Sequence, residues 1–190
     1  MGDFYKEKHG KELIRDYLLC IGEDPDRPGL LETPSRVVRA WEELYSGYHQ
    51  DPAEVFKIFE DSEEEGGLVY LKDIEFSSMC EHHMLPFTGV AHIGYIPNGA
   101  VIGVSKLARL LEIYTRRLQV QERIAEQVTN ALMKYLAPKG AACIIQATHH
   151  CISSRGIKKQ HASMGYSSMK GVFLTDINTR NEFVTLVMAK

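Results

Sequence analysis

The residues best suited to chemistry in this chain are cysteines and histidines that occur in two short blocks. Cys80-Glu81-His82-His83 is the first block, and His149-His150-Cys151 is the second. Thiolate and imidazole are both good zinc ligands, and the short spacing between Cys80 and His83 lets one tight turn present both groups to the same ion. The first block therefore predicts part of a metal site.

Cys151 is the candidate for a third ligand. On an extended strand, alternation would put His149 and Cys151 on one face and turn His150 to the other. Three protein ligands would leave a fourth position open for water, as in catalytic zinc sites. The remaining cysteines, Cys20 in a helical pattern and Cys143 in an apolar strand pattern, are interpreted as inert packing thiols.

A zinc ion that only clips the sheet together would need nothing beyond its ligands. Here His82 and His149 are left over beside the proposed ligands. Imidazoles are the side chains that transfer protons near neutral pH. This surplus favours a catalytic site, and a purely structural zinc remains the alternative.

A second group of residues is suited to binding an anion. Ser105, Lys106 and Arg109 open a predicted helix directly after an apolar strand. The free backbone N–H groups and the positive end of the helix dipole lie at the same place, so all of these groups can converge on a phosphate.

Further polar residues are weaker candidates for ligand contacts. Arg155 follows the second metal block closely in sequence and could bring a guanidinium near the metal. Arg36 and Arg39, side by side on a predicted helix, are either anion contacts or ordinary surface residues. Glu122, at a predicted helix start, is either a routine first-turn acid or a carboxylate that accepts two hydrogen bonds from a guanine edge.

Periodicity predicts the elements that must position these residues. Helical spacing occurs over 11–21, from Thr33 to about Tyr45, and from Asp51; two later helices begin at Ser105 and near Val120. The expected N-cap residues are Thr33, Asp51 and Ser105. Strand-like segments are predicted at 68–77, 87–96, 100–104, 141–151 and 166–174, and the tail 178–188 could be either. This order predicts an α+β protein with an antiparallel sheet. The acidic segment 60–67 is interpreted as a linker, which divides the chain into an N-terminal helical region (1–65) and a second domain (66–190).

Composition excludes several classes of protein. The 190 residues are 44% hydrophobic and 25% charged, as in ordinary globular proteins. The formal net charge of −3 does not suggest the broad basic footprint of a nucleic-acid or membrane binder. Apolar stretches are far shorter than the roughly 20 residues that span a bilayer, and the first residues lack the apolar segment of a signal peptide. We therefore expect a cytoplasmic protein without a disulfide framework.

Taken together, the motifs resemble those of GTP cyclohydrolase I. The resemblance covers roughly residues 13–187, and its motifs occur in the order of that family. They are Gly29–Pro34, Cys80–His83 with Leu85–Phe87, Tyr95–Pro97, Val101–Gly103 with Ser105–Arg109, Arg116–Arg123, His149–Cys151 with Arg155-Gly156, and Asn178–Arg180. The chain departs from the family's usual pattern at His150, at Ile152–Ser154 and over 160–168.

The resemblance implies a fold and a set of site residues. The fold is the tunnelling fold, in which an antiparallel four-stranded sheet with two long helices associates with its copies into a toroidal decamer of two pentamers. One zinc per subunit would be held by Cys80, His83 and Cys151, with His82 and His149 as the catalytic histidines. Guanine would be held by Gln121 and Glu122, and the triphosphate by Ser105, Lys106, Arg109, Arg155, Arg36 and Arg39.

The resemblance also implies an activity. It is the zinc-dependent hydrolytic opening of the guanine imidazole ring of GTP, with release of formate and rearrangement to 7,8-dihydroneopterin triphosphate, the first step of pterin and tetrahydrofolate biosynthesis. The alternative is a non-catalytic module of the same fold that holds a purine or pterin nucleotide around a structural zinc.

Overall fold

The computed structural model describes residues 3–59 and 67–189. The chain forms two compact units, Met1–Ser46 and Gly47–Lys190. The acidic linker predicted over 60–67 lies, apart from Gly67, outside the described residues. The division into regions 1–65 and 66–190 therefore stays a prediction.

The N-terminal unit contains two helices, α1 (Asp3–Cys20) and α2 (Thr33–Leu44). Gly10 lets them approach closely, because a Cβ at this position would lie 2.9 Å from a methyl carbon of Val38. Gly22, with a φ of +85°, follows the end of α1, as the sequence predicts. Cys20, interpreted from sequence as a packing thiol, is exposed, so that interpretation is wrong.

Two short 3₁₀ helices follow α2: Ser46–His49, whose first residue ends the N-terminal unit, and Pro52–Val55. The rest of the second unit mixes strands and helices. Its strands are β1 (Ile58–Phe59), β2 (Val69–Cys80), β3 (Pro86–Ile96), β4 (Val101–Ile102), β5 (Leu118–Gln119), β6 (Gly140–His149) and β7 (Met164–Gly171). Its helices are α3 (Ser105–Thr115), α4 (Gln121–Tyr135), α5 (His150–Ser153), α6 (Val172–Thr175) and α7 (Ile177–Met188).

The main sheet has the strand order β5-β2-β3-β6-β7. Its four long strands are antiparallel, and the two-residue β5 adds a short parallel edge beside β2. The predicted α+β fold with a four-stranded antiparallel sheet and two long helices is thereby confirmed. The segment predicted as a strand over 100–104 forms only β4, which pairs with β1 in a separate small sheet.

Apolar side chains cover both faces of the main sheet. Alternate residues of β3 and β6, such as Tyr95 and Cys143, pack with α3 and α4 in the larger core. The residues between them, such as Ile96 and Ala142, pack with α6 and α7 through side chains that include Phe173. The period-two alternation of the strands thus supplies two cores, and Cys143 is the buried packing thiol that the sequence predicts.

Helix starts follow the sequence prediction only in part. Asp51 accepts a hydrogen bond from the Ala53 N–H at 2.9 Å, so it caps its short helix as expected. Ser105 was expected to cap α3, but Val104 holds that position with helical dihedral angles and no side-chain cap. Ser105 is therefore the first helical residue, and its hydroxyl is not used in capping. Similarly, Glu32 rather than Thr33 occupies the cap position of α2.

A buried histidine stabilises an irregularity in β2. His92 of β3 is only 3% exposed, and its Nδ1 accepts a hydrogen bond from the Asp73 N–H at 3.1 Å. Asp73 has a φ of +56° and lies where the register between β2 and β3 shifts, between Leu71 and Ile74. Burial lowers the pKa of His92; the Asp73 carboxylate opposes this shift, and Lys72 adds to it.

We predict that His92 makes the free energy of unfolding depend on pH. The unfolded chain takes up a proton on this imidazole below about pH 6.5, its ordinary pKa, whereas the folded chain keeps it neutral. Stability contributed by His92 is therefore present above that pH and is lost as the pH falls through the lowered folded-state pKa. Urea unfolding at a series of pH values from 8 to 5 measures this loss, and His92→Asn, which keeps an acceptor but does not titrate, should lose less stability.

The exposed His161 provides the control. His161→Asn should follow the wild-type pH dependence. Identical pH dependence of the wild type and His92→Asn would contradict the prediction.

Candidate active site

Three side chains that could hold a metal ion converge at one end of the main sheet. Cys80 ends β2, His83 lies in the connection to β3, and Cys151 lies in α5, directly after β6. Their ligand atoms all lie within 4.8 Å of one another, and Cys80 Sγ is 3.8 Å from His83 Nδ1. A tetrahedral zinc with bonds of about 2.3 Å to sulfur and about 2.0 Å to nitrogen separates those two atoms by about 3.5 Å. The donors and their spacing fit such an ion.

Backbone hydrogen bonds shape the turn that presents the first two donors. The Cys80 N–H donates to the Leu85 carbonyl at 2.9 Å, and the Cys80 carbonyl accepts from the N–H groups of His83 at 3.3 Å and Met84 at 2.8 Å. Met84 has a φ of +52°, a region that residues other than glycine rarely adopt. The chain therefore reverses sharply after Cys80 and brings His83 back beside it.

An ion pair ties this turn to the start of α4. Both terminal nitrogens of Arg123 donate to the Glu81 carboxylate, with Nη2 3.0 Å from Oε1. The Glu81 N–H also donates to the Gln119 carbonyl at 3.0 Å. The hydrogen bond from Arg123 lowers the pKa of Glu81, so the carboxylate stays charged and the turn stays anchored.

Cys151 reaches the site by a different route from the one that the sequence predicts. The strand was expected to continue through Cys151, but β6 ends at His149 and a helical turn begins at His150. Strand alternation therefore does not place the Cys151 thiol; the helical turn does. His150 is exposed, consistent with its exclusion from the ligand set.

The Cys151 thiol lies in surroundings that favour its protonated form when no cation is bound. Burial, followed by the neighbouring Cys80, raises the pKa of Cys151, and the positive charge of Arg155 opposes the shift. Because only the thiolate is a good ligand, metal binding here must release a proton.

His149 is held between an aromatic ring and an amide. It is the last residue of β6 and pairs with Phe87 of β3; the two rings stack with their centroids 4.5 Å apart and their planes 4° from parallel. His149 Nε2 lies 2.9 Å from Gln121 Oε1. Burial lowers the pKa of His149, with the carboxylate of Glu122 acting in the opposite direction. The neutral imidazole is therefore favoured, as a proton acceptor requires.

His82 has a more open environment. Its side chain is 66% exposed, and its Nε2 lies 3.9 Å from Glu81 Oε1. Its ring meets the His83 ring edge-on, with centroids 6.3 Å apart. The His82 side chain is thus accessible to a ligand, and its catalytic role stays a prediction.

Comparison with known proteins decides the family. The family model described as GTP cyclohydrolase I matches residues 10–188. A Wolinella succinogenes protein named GTP cyclohydrolase 1 is 51% identical over 175 residues, which cover 92% of this chain and 93% of that protein. A Streptomyces coelicolor protein of the same name is 46% identical over 193 residues, which cover 100% of this chain and 94% of that protein.

The chain belongs to the GTP cyclohydrolase I family. The resemblance seen in the sequence motifs is thereby confirmed. Among solved structures, the apo form of the archaeosine synthase QueF-Like matches with a TM-score of 0.46 and 18% identity, covering 58% of this chain and 97% of that one. No helix among residues 3–59 and 67–189 is long and apolar enough to cross a membrane.

The basic residues that the family resemblance assigns to the triphosphate are dispersed along the chain. Lys106 and Arg109 line one depression, which they share with acidic residues such as Glu112. Arg155 is exposed after α5. Arg36 and Arg39 belong to α2 of the N-terminal unit, where Arg36 donates to Glu32 at 2.7 Å. Their phosphate contacts, and that of Ser105, stay predictions.

Two positioning residues of this site were not singled out from the sequence. Phe87 and Arg123 lie inside family motifs, but their types alone are typical of core and surface. Only the register of Phe87 opposite His149 and the proximity of Arg123 to Glu81 show what they hold.

We predict that breaking the Glu81–Arg123 pair weakens metal binding. Arg123→Gln removes the bidentate anchor of the turn that carries His83, so the ligands are less well oriented before the ion binds. Loss of such outer-shell support typically costs about 10- to 100-fold in metal affinity. Competition with a chromophoric chelator, with Zn²⁺ as the probe, measures the change.

Lys170→Gln is the matched control, because it removes a comparable ion pair, Lys170 Nζ to Glu126 Oε2 at 2.6 Å, that contains no metal-binding candidate. The control should bind Zn²⁺ like the wild type. Equal affinities for wild type and Arg123→Gln would show that the pair does not orient the site.

Proposed function

We propose that this chain is a zinc-dependent hydrolase that opens the imidazole ring of the guanine in GTP, releases formate and yields 7,8-dihydroneopterin triphosphate. Membership in the GTP cyclohydrolase I family supports the reaction. The observation that carries the proposal is a three-donor metal group whose Cys151 follows a stacked, half-buried histidine, His149, by two residues.

The number of donors supports a catalytic metal rather than a structural one. In the described part of the chain, the group that could hold an ion consists of Cys80, His83 and Cys151. Structural zinc sites almost always have four protein ligands, whereas catalytic sites have three and keep one position open. Zinc held by these three residues would supply a Lewis acid and make water a nucleophile near neutral pH.

His149 supplies proton transfer in this proposal. Burial lowers its pKa, so the ring is available near neutral pH to accept a proton and return it to a purine ring nitrogen. Stacking on Phe87 restrains the plane of the ring. His149 can thus act on the substrate without reorganising, which favours the transition state.

His82 is the second proton carrier in the proposal. Its exposed ring is free to meet the ribose as the opened intermediate rearranges. The exposure of His82 and the partial burial of His149 suit different steps, because the His82 ring reaches outward whereas the His149 ring is held by Phe87 and Gln121.

Glu122 and a set of basic residues are proposed to recognise the two ends of the substrate. Glu122, half-buried at the start of α4, is proposed to accept hydrogen bonds from the guanine edge. Basic side chains are proposed to hold the triphosphate, which supplies binding energy remote from the reacting ring. They are Lys106, Arg109, Arg155, Arg36 and Arg39, together with the Ser105 hydroxyl.

We also propose that the chain acts in the cytoplasm as a toroidal homodecamer of two pentamers. The family resemblance supports this assembly. Exposed apolar residues on α7, Ile177, Val184 and Met188, provide surface of the kind that proteins bury against partners.

We predict that variants of the metal ligands lose both zinc and turnover, whereas a variant of His149 loses only turnover. His83→Ala and Cys151→Ser should lose bound zinc and ring opening together, because each removes a ligand. His149→Ala should keep the zinc and lose turnover by about 100-fold or more, the scale of general acid–base catalysis. Incubation with GTP, with pterin fluorescence, released formate and bound zinc all measured, tests these outcomes.

His150→Ala is the matched control for His149→Ala, because it removes the neighbouring imidazole, which is exposed. This variant should keep both zinc and turnover. Full formate release by chelator-treated, zinc-free protein would refute the mechanism, and zinc-loaded protein that binds GTP without forming a pterin would favour a non-catalytic nucleotide-binding module.

A further inference from the structure

We propose that Gln121 is a positioning residue that determines which nitrogen of His149 carries the hydrogen, leaving Nδ1 as the nitrogen that meets the substrate. The proposal rests on the proposed function for its catalytic consequence. It differs from the guanine contact that the family resemblance implies for this side chain.

The Gln121 amide has only one orientation that satisfies the hydrogen-bonding groups around it. The side chain is completely buried. Its Nε2 donates to the Ile145 carbonyl of β6 at 3.0 Å and to the Met164 carbonyl of β7 at 2.9 Å. Both amide hydrogens are used, because an amide nitrogen has two. Turning the amide over would set its oxygen against two carbonyl oxygens and strand both acceptors.

The amide oxygen of Gln121 determines the direction of the hydrogen bond to His149. With the nitrogen committed to β6 and β7, Oε1 is the atom that faces His149, and Nε2 of the imidazole lies 2.9 Å from it. An amide oxygen can only accept a hydrogen bond, so His149 Nε2 must donate. A neutral imidazole carries one ring hydrogen; here it is on Nε2, and the lone pair is on Nδ1.

The imidazole ring of His149 cannot easily leave this arrangement. Phe87 stacks on His149 with the planes only 4° apart, which fixes the plane of the imidazole. A rotation of the ring by half a turn about its Cβ–Cγ bond would restore the same plane, but it would place a C–H in place of the Nε2–H opposite Gln121. The buried amide oxygen would then be left without a donor. Phe87 therefore fixes the plane of the imidazole, and Gln121 determines that Nε2 faces the amide.

These contacts assign Nδ1 as the reacting atom of His149. Nε2–H remains bonded to Gln121 throughout, so a proton that His149 accepts goes to Nδ1, and the proton that it returns to the purine leaves from Nδ1. The ring then begins and ends each exchange in the same neutral form. Gln121 has no spare N–H for the guanine, which leaves base recognition to neighbours such as Glu122.

The experiment uses Gln121→Met, which keeps the length of the side chain but removes the amide. We expect kcat to fall by about 10- to 100-fold, the range for groups that act through another residue, while KM for GTP changes less than about twofold, because the group acts in the chemical step. Gln146→Met, the same substitution at an exposed position of β6, should leave both constants unchanged.

Two results with Gln121→Met would overturn the proposal. A rise in KM with unchanged kcat would overturn the proposal in favour of a guanine contact. Equal kcat and KM for Gln121→Met and wild type would also overturn it. If Gln121→Met loses its zinc or its native circular dichroism spectrum, neutron crystallography of the wild-type protein tests the proposal instead.

Neutron crystallography of the deuterated wild-type protein reads the proposal directly. Deuterium on His149 Nε2 and on both positions of Gln121 Nε2 supports it, and deuterium on Nδ1 alone overturns it. This measurement does not require turnover, so it remains decisive even if wild-type protein forms no pterin from GTP, a result that would instead refute the proposed function.

Discussion

The backbone register of β3 against its two neighbours is the constraint on which the site depends. β3 pairs with β2 on one side and with β6 on the other, so that Phe87 lies opposite both Ser78 and His149. Because β2 and β6 both run antiparallel to β3, their last residues lie at the same end of the sheet. A slip of one residue would turn the side chains of a whole strand to the other face and would separate the metal group.

The first turn of α4 then orients what the register brings together. Gln121 reaches β6 and β7 and holds His149, while Arg123, two residues later, holds Glu81 in the turn that carries His83. One helix start therefore fixes both the proton-transfer residue and the metal-binding turn. Because α4 is packed into the main core through buried residues such as Ile124 and Val128, this orientation is tied to the stability of the whole unit.

Most of the metal site could be predicted from the spacing of the motifs, but the ends of the elements and the burial of single residues could not. The ligands Cys80 and His83 were predictable because a tight turn is a local feature. The strand through Cys151 was predicted too long, since apolar periodicity does not show where a strand gives way to a helical turn. The caps at Thr33 and Ser105 were shifted by one residue because cap preference is weaker than the backbone path into the helix. The exposure of Cys20 could not be predicted either, because only part of the apolar pattern of α1 is buried.

The sequence by itself determined the chemistry available to this protein: the thiol and imidazole donors, the alternation that builds an antiparallel sheet, and the family to which the chain belongs. Tertiary structure alone decided how those groups are used. The orientation of the Gln121 amide depends on carbonyls of two strands that follow it in the chain by 24 and 43 positions. Hydrogen-bond direction is a property of atoms in three-dimensional contact, and no residue type or local spacing specifies it.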